Sequence, residues 1–279
     1  MVILSIVIVF ALLVTMVLPI AAGFWLKKRL GVSWRVMMYG ALGYFMVQAL
    51  ITLIFSGFVT LVENGTLSMS GRAYTLAQLI LSIFLSALLG VLARWLGMKY
   101  LKEELDTLET TYGLGLGYGG IESLILVGFP LLTTFITMLS NIHIDPATTT
   151  LDPEVVAQLE QLWQIQPFIP LAGAVERVSL FIMHITVTIL ILQVFKRNKP
   201  IWLAAAVGDE LLVNGIVVVF TEVGLGYGWL SLISVLLAAG NIYLLYKLKA
   251  FEIEFKQGKE FEQAEVSTSD EGPEVGLRK

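Results

Sequence analysis

The sequence predicts an all-α polytopic membrane protein with about seven transmembrane helices, the N-terminus outside and the C-terminus cytoplasmic. Three observations carry that expectation. Of the 279 residues, 57% are hydrophobic and only 14% charged, and the mean hydropathy is +0.82, whereas a soluble domain carries about 25% charged residues. The apolar runs are long enough to cross the roughly 30 Å hydrocarbon core as helices, and they lack the alternation of barrel strands. Lys and Arg alternate between rich and poor sides at every crossing.

The apolar segments fall at about 2–25, 36–62, 73–97, 112–140, 168–195, 201–222 and 226–247. They make one transmembrane domain over 1–249, followed by a charged cytoplasmic tail over 250–279. The first segment starts at Val2 with no Lys or Arg before it, unlike a secretory signal, so it is expected as a retained helix. Lys27, Lys28, Arg29 and Arg35 follow it, whereas the second loop has only Arg72. The third segment ends in Arg94, Lys99 and Lys102, and the fifth in Lys196, Arg197 and Lys199. Loop 141–167 and the loop after the sixth segment have no basic residue, while six run from Lys247 to Lys279. Sixteen of the 18 Lys and Arg thus fall on one side, Arg72 on the other and Arg177 at membrane depth. The positive-inside rule makes the rich side cytoplasmic.

Loop 141–167 carries a helix signal. Asp152-Pro153-Glu154 has the form of a cap followed by a first-turn proline. Val155, Val156, Leu159, Leu162 and Trp163 then recur at helical spacing. They predict an interfacial helix on the outer side, with a lid over an outward cavity as the second reading. His143 is expected in solvent, and the sequon Asn64-Gly-Thr66 is of a kind that is mostly incidental. After Ala250, 251–261 is charged and weakly amphipathic, and 263–279 is polar and expected to be disordered. No internal repeat is evident. The absence of cysteine excludes disulfides, Cys-ligated zinc and a thiol nucleophile. The net charge of −4 and the lack of a basic patch argue against nucleic acid. The expected partners are membrane lipids and a peptide or membrane-protein substrate or partner.

Three segments carry polar clusters at depth. Ionisable groups there cost roughly 2.5–3.5 kcal/mol each on insertion scales, so they face the protein interior and mark function by default. The fourth segment opens with Tyr112-Gly-Leu-Gly-Leu-Gly-Tyr-Gly-Gly-Ile-Glu-Ser. It is no phosphate loop, because no Lys-Ser/Thr follows and no strand precedes. Gly115, Gly119 and Glu122 share one helix face, and Tyr118 lies one turn from Glu122. Glycine density also loosens a helix, so partial unwinding is expected here. In the fifth segment Arg177 and His184 are seven residues apart on one face, Thr188 continues the line, and Glu176 points about 100° away from Arg177. The sixth segment supplies Asp209, Glu210 and Asn214, the last two one turn apart. These clusters make either a shared buried site or ion pairs that lock helices: Glu176 with Arg177, or Arg177 with Asp209 or Glu210. Zinc needs three or four ligands, and only one histidine lies at depth, so zinc is possible but disfavoured. If a metal is bound, Glu122, Glu176 and His184 are the ligands to consider, with Glu210 as a fourth.

The order of these clusters resembles the YhfC family of intramembrane proteases, relatives of the CAAX-processing and bacteriocin-protection proteases. Gly115-Leu-Gly-Tyr-Gly-Gly-Ile-Glu122-Ser is similar to that family's Gly-x-Gly-His-Gly-Gly-Ile-Glu-Ala. Glu176, Arg177 and His184 match its Glu-Arg-x-x-x-x-x-x-His, and Trp163-Gln-Ile-Gln-Pro167 is similar to the approach to it. Asn214 fits the end of its His-x-x-x-Asn/Asp pattern. The resemblance implies glutamate-based peptide hydrolysis near the membrane surface, with Glu122, Glu176 and His184 catalytic and Tyr118, Arg177, Glu210 and Asn214 supporting; other readings of this superfamily invoke a metal. Two positions depart from the pattern: Tyr118 and Glu210 stand where the family has histidine. Tyr does not carry protons near neutral pH, and a deprotonated Glu210 cannot donate to an oxyanion. A degenerate, catalytically inactive scaffold or assembly subunit is therefore the alternative, with a small-solute transporter behind it.

Overall fold

The computed structural model describes residues 1–101, 107–143, 152–224 and 226–252. Every regular element among them is helical. Seven helices are long and apolar enough to cross a membrane: Val2–Leu30, Trp34–Glu63, Gly71–Tyr100, Leu108–Ser140, Phe168–Arg197, Ile201–Glu222 and Tyr227–Lys247. They are called the first to seventh spans below. Most of the tail assigned to 250–279 lies outside the described residues.

Local chemistry sets the span ends. Gly31, at φ 68°, closes the first span in the left-handed conformation that suits glycine. The Ser33 hydroxyl then accepts from the Arg35 amide and starts the second span. Ser70 and Thr107 cap the third and fourth spans in the same way. Asn198, at φ 50°, closes the fifth span two residues before Pro200.

The fifth span is the axis of the bundle. Its most apolar stretch is 72% buried, against 6–28% for the others. It packs against the first, third, fourth, sixth and seventh spans, and the second span lies across the third and fourth. The core gathers Val91, Leu114, Met183, Val187, Leu190 and Ile191. Large apolar side chains such as Phe10, Leu53, Ile80, Phe84 and Leu236 point outward, as a lipid-facing surface requires.

The glycine-rich start of the fourth span is not unwound: Leu108–Ser123 is regular α-helix. Its glycines are used for contact. A Cβ on Gly117 would sit 2.0 Å from the Met37 carbonyl oxygen, and one on Gly40 would sit 2.2 Å from that of Leu114. The second and fourth spans therefore cross backbone on backbone. The irregularity falls one turn later, in a π-helical turn over Leu124–Gly128, beside a matching turn over Leu13–Val17 in the first span. A proline follows each, Pro130 and Pro19. Pro19 cannot donate to the Thr15 carbonyl four residues back; the Ser123 hydroxyl does so instead, at 3.0 Å.

The helix expected in the long loop is present as Pro153–Trp163, with the Asp152 carboxylate accepting from the Glu154 amide at 2.8 Å. Leu162 and Trp163 pack on Leu4, Ile8 and Met138, which fixes it to the first and fourth spans. His143 is exposed.

Candidate functional site

The polar residues of the fourth, fifth and sixth spans meet at mid-bundle, joined by one from the third. Glycine makes room for them. A Cβ on Gly119 would sit 2.7 Å from the His184 ring, and one on Gly90 would sit 2.9 Å from the Glu210 carboxylate and 3.0 Å from the Tyr118 hydroxyl. Two turns of the fifth span carry Arg177 and His184 to the same carboxylate. Arg177 Nη1 is 3.5 Å from Glu122 Oε1, and His184 Nε2 is 3.0 Å from Glu122 Oε2. Arg177 Nη2 also holds Glu176, at 2.7 Å. The Thr188 hydroxyl donates to the His184 carbonyl at 2.6 Å and so serves the helix.

Arg94 lies deeper. It was counted above with the basic residues of the cytoplasmic side, and its place inside the bundle corrects that count. Its Nη2 donates to Glu210, its Nε donates to the Gly90 carbonyl at 2.9 Å, and its guanidinium carbon lies 4.4 Å from the Tyr118 ring centroid. Nη1 lies 3.5 Å from His184 Nδ1. A guanidinium only donates, so this long contact makes Nδ1 the acceptor and leaves the ring proton on Nε2, facing Glu122. Glu122 is close to Nε2 but out of line with the N–H, which is left buried without an aligned acceptor. Tyr118 lies between His184 and Tyr44, tilted against the first and edge-on to the second, with ring centroids 5.2 and 5.5 Å away.

The pairing of Arg177 with Asp209 or Glu210 is not found. Arg94 takes Glu210, and Arg177 takes Glu122 and Glu176. Asp209 has a buried Oδ2 without a hydrogen-bond partner and does not line the cleft described next.

A cleft of about 190 Å³ reaches this cluster. Its floor is Tyr118 and Glu210, and its polar wall includes Glu122, Glu176, Arg177 and Asn214. Gln48, Ser82 and Ser86 add polar groups, while Val47, Ile51, Leu126 and Val217 make an apolar wall. From the floor the lining runs toward the end of the bundle that carries loop 64–70. Sequence reasoning missed Tyr44 and Gln48, which lie one turn apart on the second span and are joined by a 2.9 Å hydrogen bond. A lone amide in an otherwise apolar run was the available signal. The helix Pro153–Trp163 contributes nothing to the lining, so the lid reading of loop 141–167 has no support from it.

Fold and site together define an integral membrane protein of seven helical spans built around an intramembrane carboxylate–histidine–guanidinium cluster. The chain belongs to the family described as YhfC intramembrane metalloprotease, which it matches over residues 14–248. It is 22% identical over 249 residues to the uncharacterized membrane protein YhfC of Bacillus subtilis (strain 168), covering 85% of this chain and 93% of that protein. No solved structure matches it.

The family description raises a metal, and the donor set does not fit one. Among the described residues no group of three or more His, Asp or Glu is arranged to hold an ion. Each glutamate of the cluster already touches a guanidinium: Glu122 and Glu176 that of Arg177, Glu210 that of Arg94. His184 Nδ1 faces the Arg94 donor, so one imidazole nitrogen at most remains for a metal.

Proposed function

We propose that the protein is an intramembrane endopeptidase in which Glu122 is the general base. The observation that carries this reading is the His184 Nε2–H, buried without an aligned acceptor beside the Glu122 carboxylate, in a cluster that meets the cleft. A buried unsatisfied donor costs about 1–3 kcal/mol, so it gains most when an oxygen from substrate or water arrives.

In this reading a peptide enters the cleft along the apolar wall. Glu122 takes a proton from water, and the water oxygen bonds to the peptide carbonyl carbon. The oxyanion accepts from the His184 Nε2–H, the Arg177 guanidinium and the Asn214 amide. The C–N bond then breaks, and Glu122 passes the proton to the leaving amine. Glu176 holds Arg177 in place, and Glu210, tied to Arg94, takes no direct part. The cleft opens to the outer side if the basic end of the bundle is cytoplasmic, as the charge distribution argues.

The transporter reading has less support. The cleft ends at Tyr118 and Glu210, and the apolar groove on the far side of Arg94, lined by Tyr39, Leu96 and Tyr100, shares no lining residue with it. The scaffold reading remains the one to test against. Purified protein reconstituted in liposomes is offered a library of transmembrane peptides, and products are read by mass spectrometry. Cleavage by the native protein, lost in Glu122→Gln and His184→Ala, is the expected result. Absence of any product with folded native protein returns the scaffold reading.

A further inference from the structure

We propose that the Arg94 guanidinium occupies the place of a cation in this site, so that the cluster works as a fixed-charge centre and excludes a divalent metal. Arg94 is fully buried, and every polar atom of its guanidinium has a neighbour. Nε meets the Gly90 carbonyl, Nη2 the Glu210 carboxylate and Nη1 the His184 Nδ1, while the flat face lies over Tyr118. Glu210 and His184 Nδ1 both have the chemistry of metal ligands, and the guanidinium touches both. An ion placed between them would stand within contact distance of a positive charge that cannot be deprotonated.

Three consequences follow from the contacts. The guanidinium neutralises Glu210. It presents a donor to Nδ1 and so keeps the His184 proton on Nε2, toward Glu122. It also fills the space that Gly90 leaves open, where a Cβ would strike Glu210, the Tyr118 hydroxyl and Arg94 itself. Arg94 is thus a positioning residue that acts through His184 and Glu210, and it does not line the cleft. Removing its head group leaves a buried carboxylate, an imidazole nitrogen and a cavity between them, and such a pocket takes up a divalent cation.

The inference is tested without substrate, so its outcome is independent of the peptidase reading. The purified full-length protein in detergent is incubated with cobalt(II) or zinc and desalted. Bound metal is counted by mass spectrometry, and histidine ligation is read from the cobalt visible spectrum. The native protein and Arg94→Lys are expected to retain less than a tenth of an equivalent. Arg94→Ala is expected to retain close to one, with a visible band that disappears when His184→Ala is added. One equivalent bound by the native protein and lost with His184→Ala overturns the proposal. So does a folded Arg94→Ala protein that gains no metal. If Arg94→Ala does not fold, the native protein and Arg94→Lys decide the matter by the same count.

Discussion

The molecule contains the same chemical pair twice, a glutamate against an arginine, in two different settings. In the inner pair, Arg94 and Glu210, the side chains are 1% and 2% exposed. In the outer group, Arg177 is 11% exposed, Glu122 17% and Glu176 29%. His184 stands between them, with Nδ1 toward Arg94 and Nε2 toward Glu122. The difference shows how one fold separates two uses of charge. The buried pair, of which Glu210 alone reaches the cleft floor, holds the third and sixth spans together and sets the imidazole. The open group keeps its charges within reach of whatever enters the cleft.

Five variants, four single and one double, sharpen or break this contrast. The largest effect is expected from Glu122→Gln, which keeps shape and removes the base. Peptide cleavage should fall about 10²–10⁴-fold, with an unchanged thermal midpoint by scanning fluorimetry. Arg94→Ala should act the other way round, on stability first. Removing one member of a buried pair costs about 3–5 kcal/mol, read as a large drop in midpoint. Combining Arg94→Met with Glu210→Leu should return most of that stability, because apolar replacement of a whole buried pair is often neutral. A double variant as unstable as Arg94→Ala alone would mean that the pair does more than lock helices. Asn214→Ala should cost about 10²-fold in cleavage if its amide meets the oxyanion, and little in stability. Arg177→Ala is expected to lower stability less than Arg94→Ala, because its partners are more exposed, while still lowering cleavage. An equal stability loss for Arg94→Ala and Arg177→Ala would erase the distinction between the two pairs.

Much of the outer group was legible in the sequence, and the inner pair was not. Arg177 and His184 at seven-residue spacing, with Glu122 on a glycine-lined face, specify three side chains that meet once the fourth and fifth spans pack. Helical periodicity is enough to find them. Arg94 was misread because an arginine near the end of an apolar run normally marks the membrane boundary. The contrary signal was present: Trp95-Leu-Gly-Met continues the apolar run past it, Gly90 lies one turn before it, and Glu210 needed a partner. Pairing between the third and sixth spans is a tertiary fact, and no spacing within either span states it. The glycine run was misjudged for a related reason. Glycine loosens an isolated helix, but backbone contacts with Met37 and His184 hold this one regular, and the strain of Pro19 and Pro130 appears as π turns instead.

The contrast between an open outer group and a buried inner pair can be read most directly from thiol access, since the native chain has no cysteine. Ser86→Cys places a thiol in the cleft wall, and Val91→Cys places one in the core near Arg94. In sealed membranes of known orientation, a membrane-impermeant methanethiosulfonate should label Ser86→Cys from the side facing loop 64–70. It should leave Val91→Cys unlabelled from either side. Labelling of both at similar rates, or of neither, would contradict the division of the site on which the account rests.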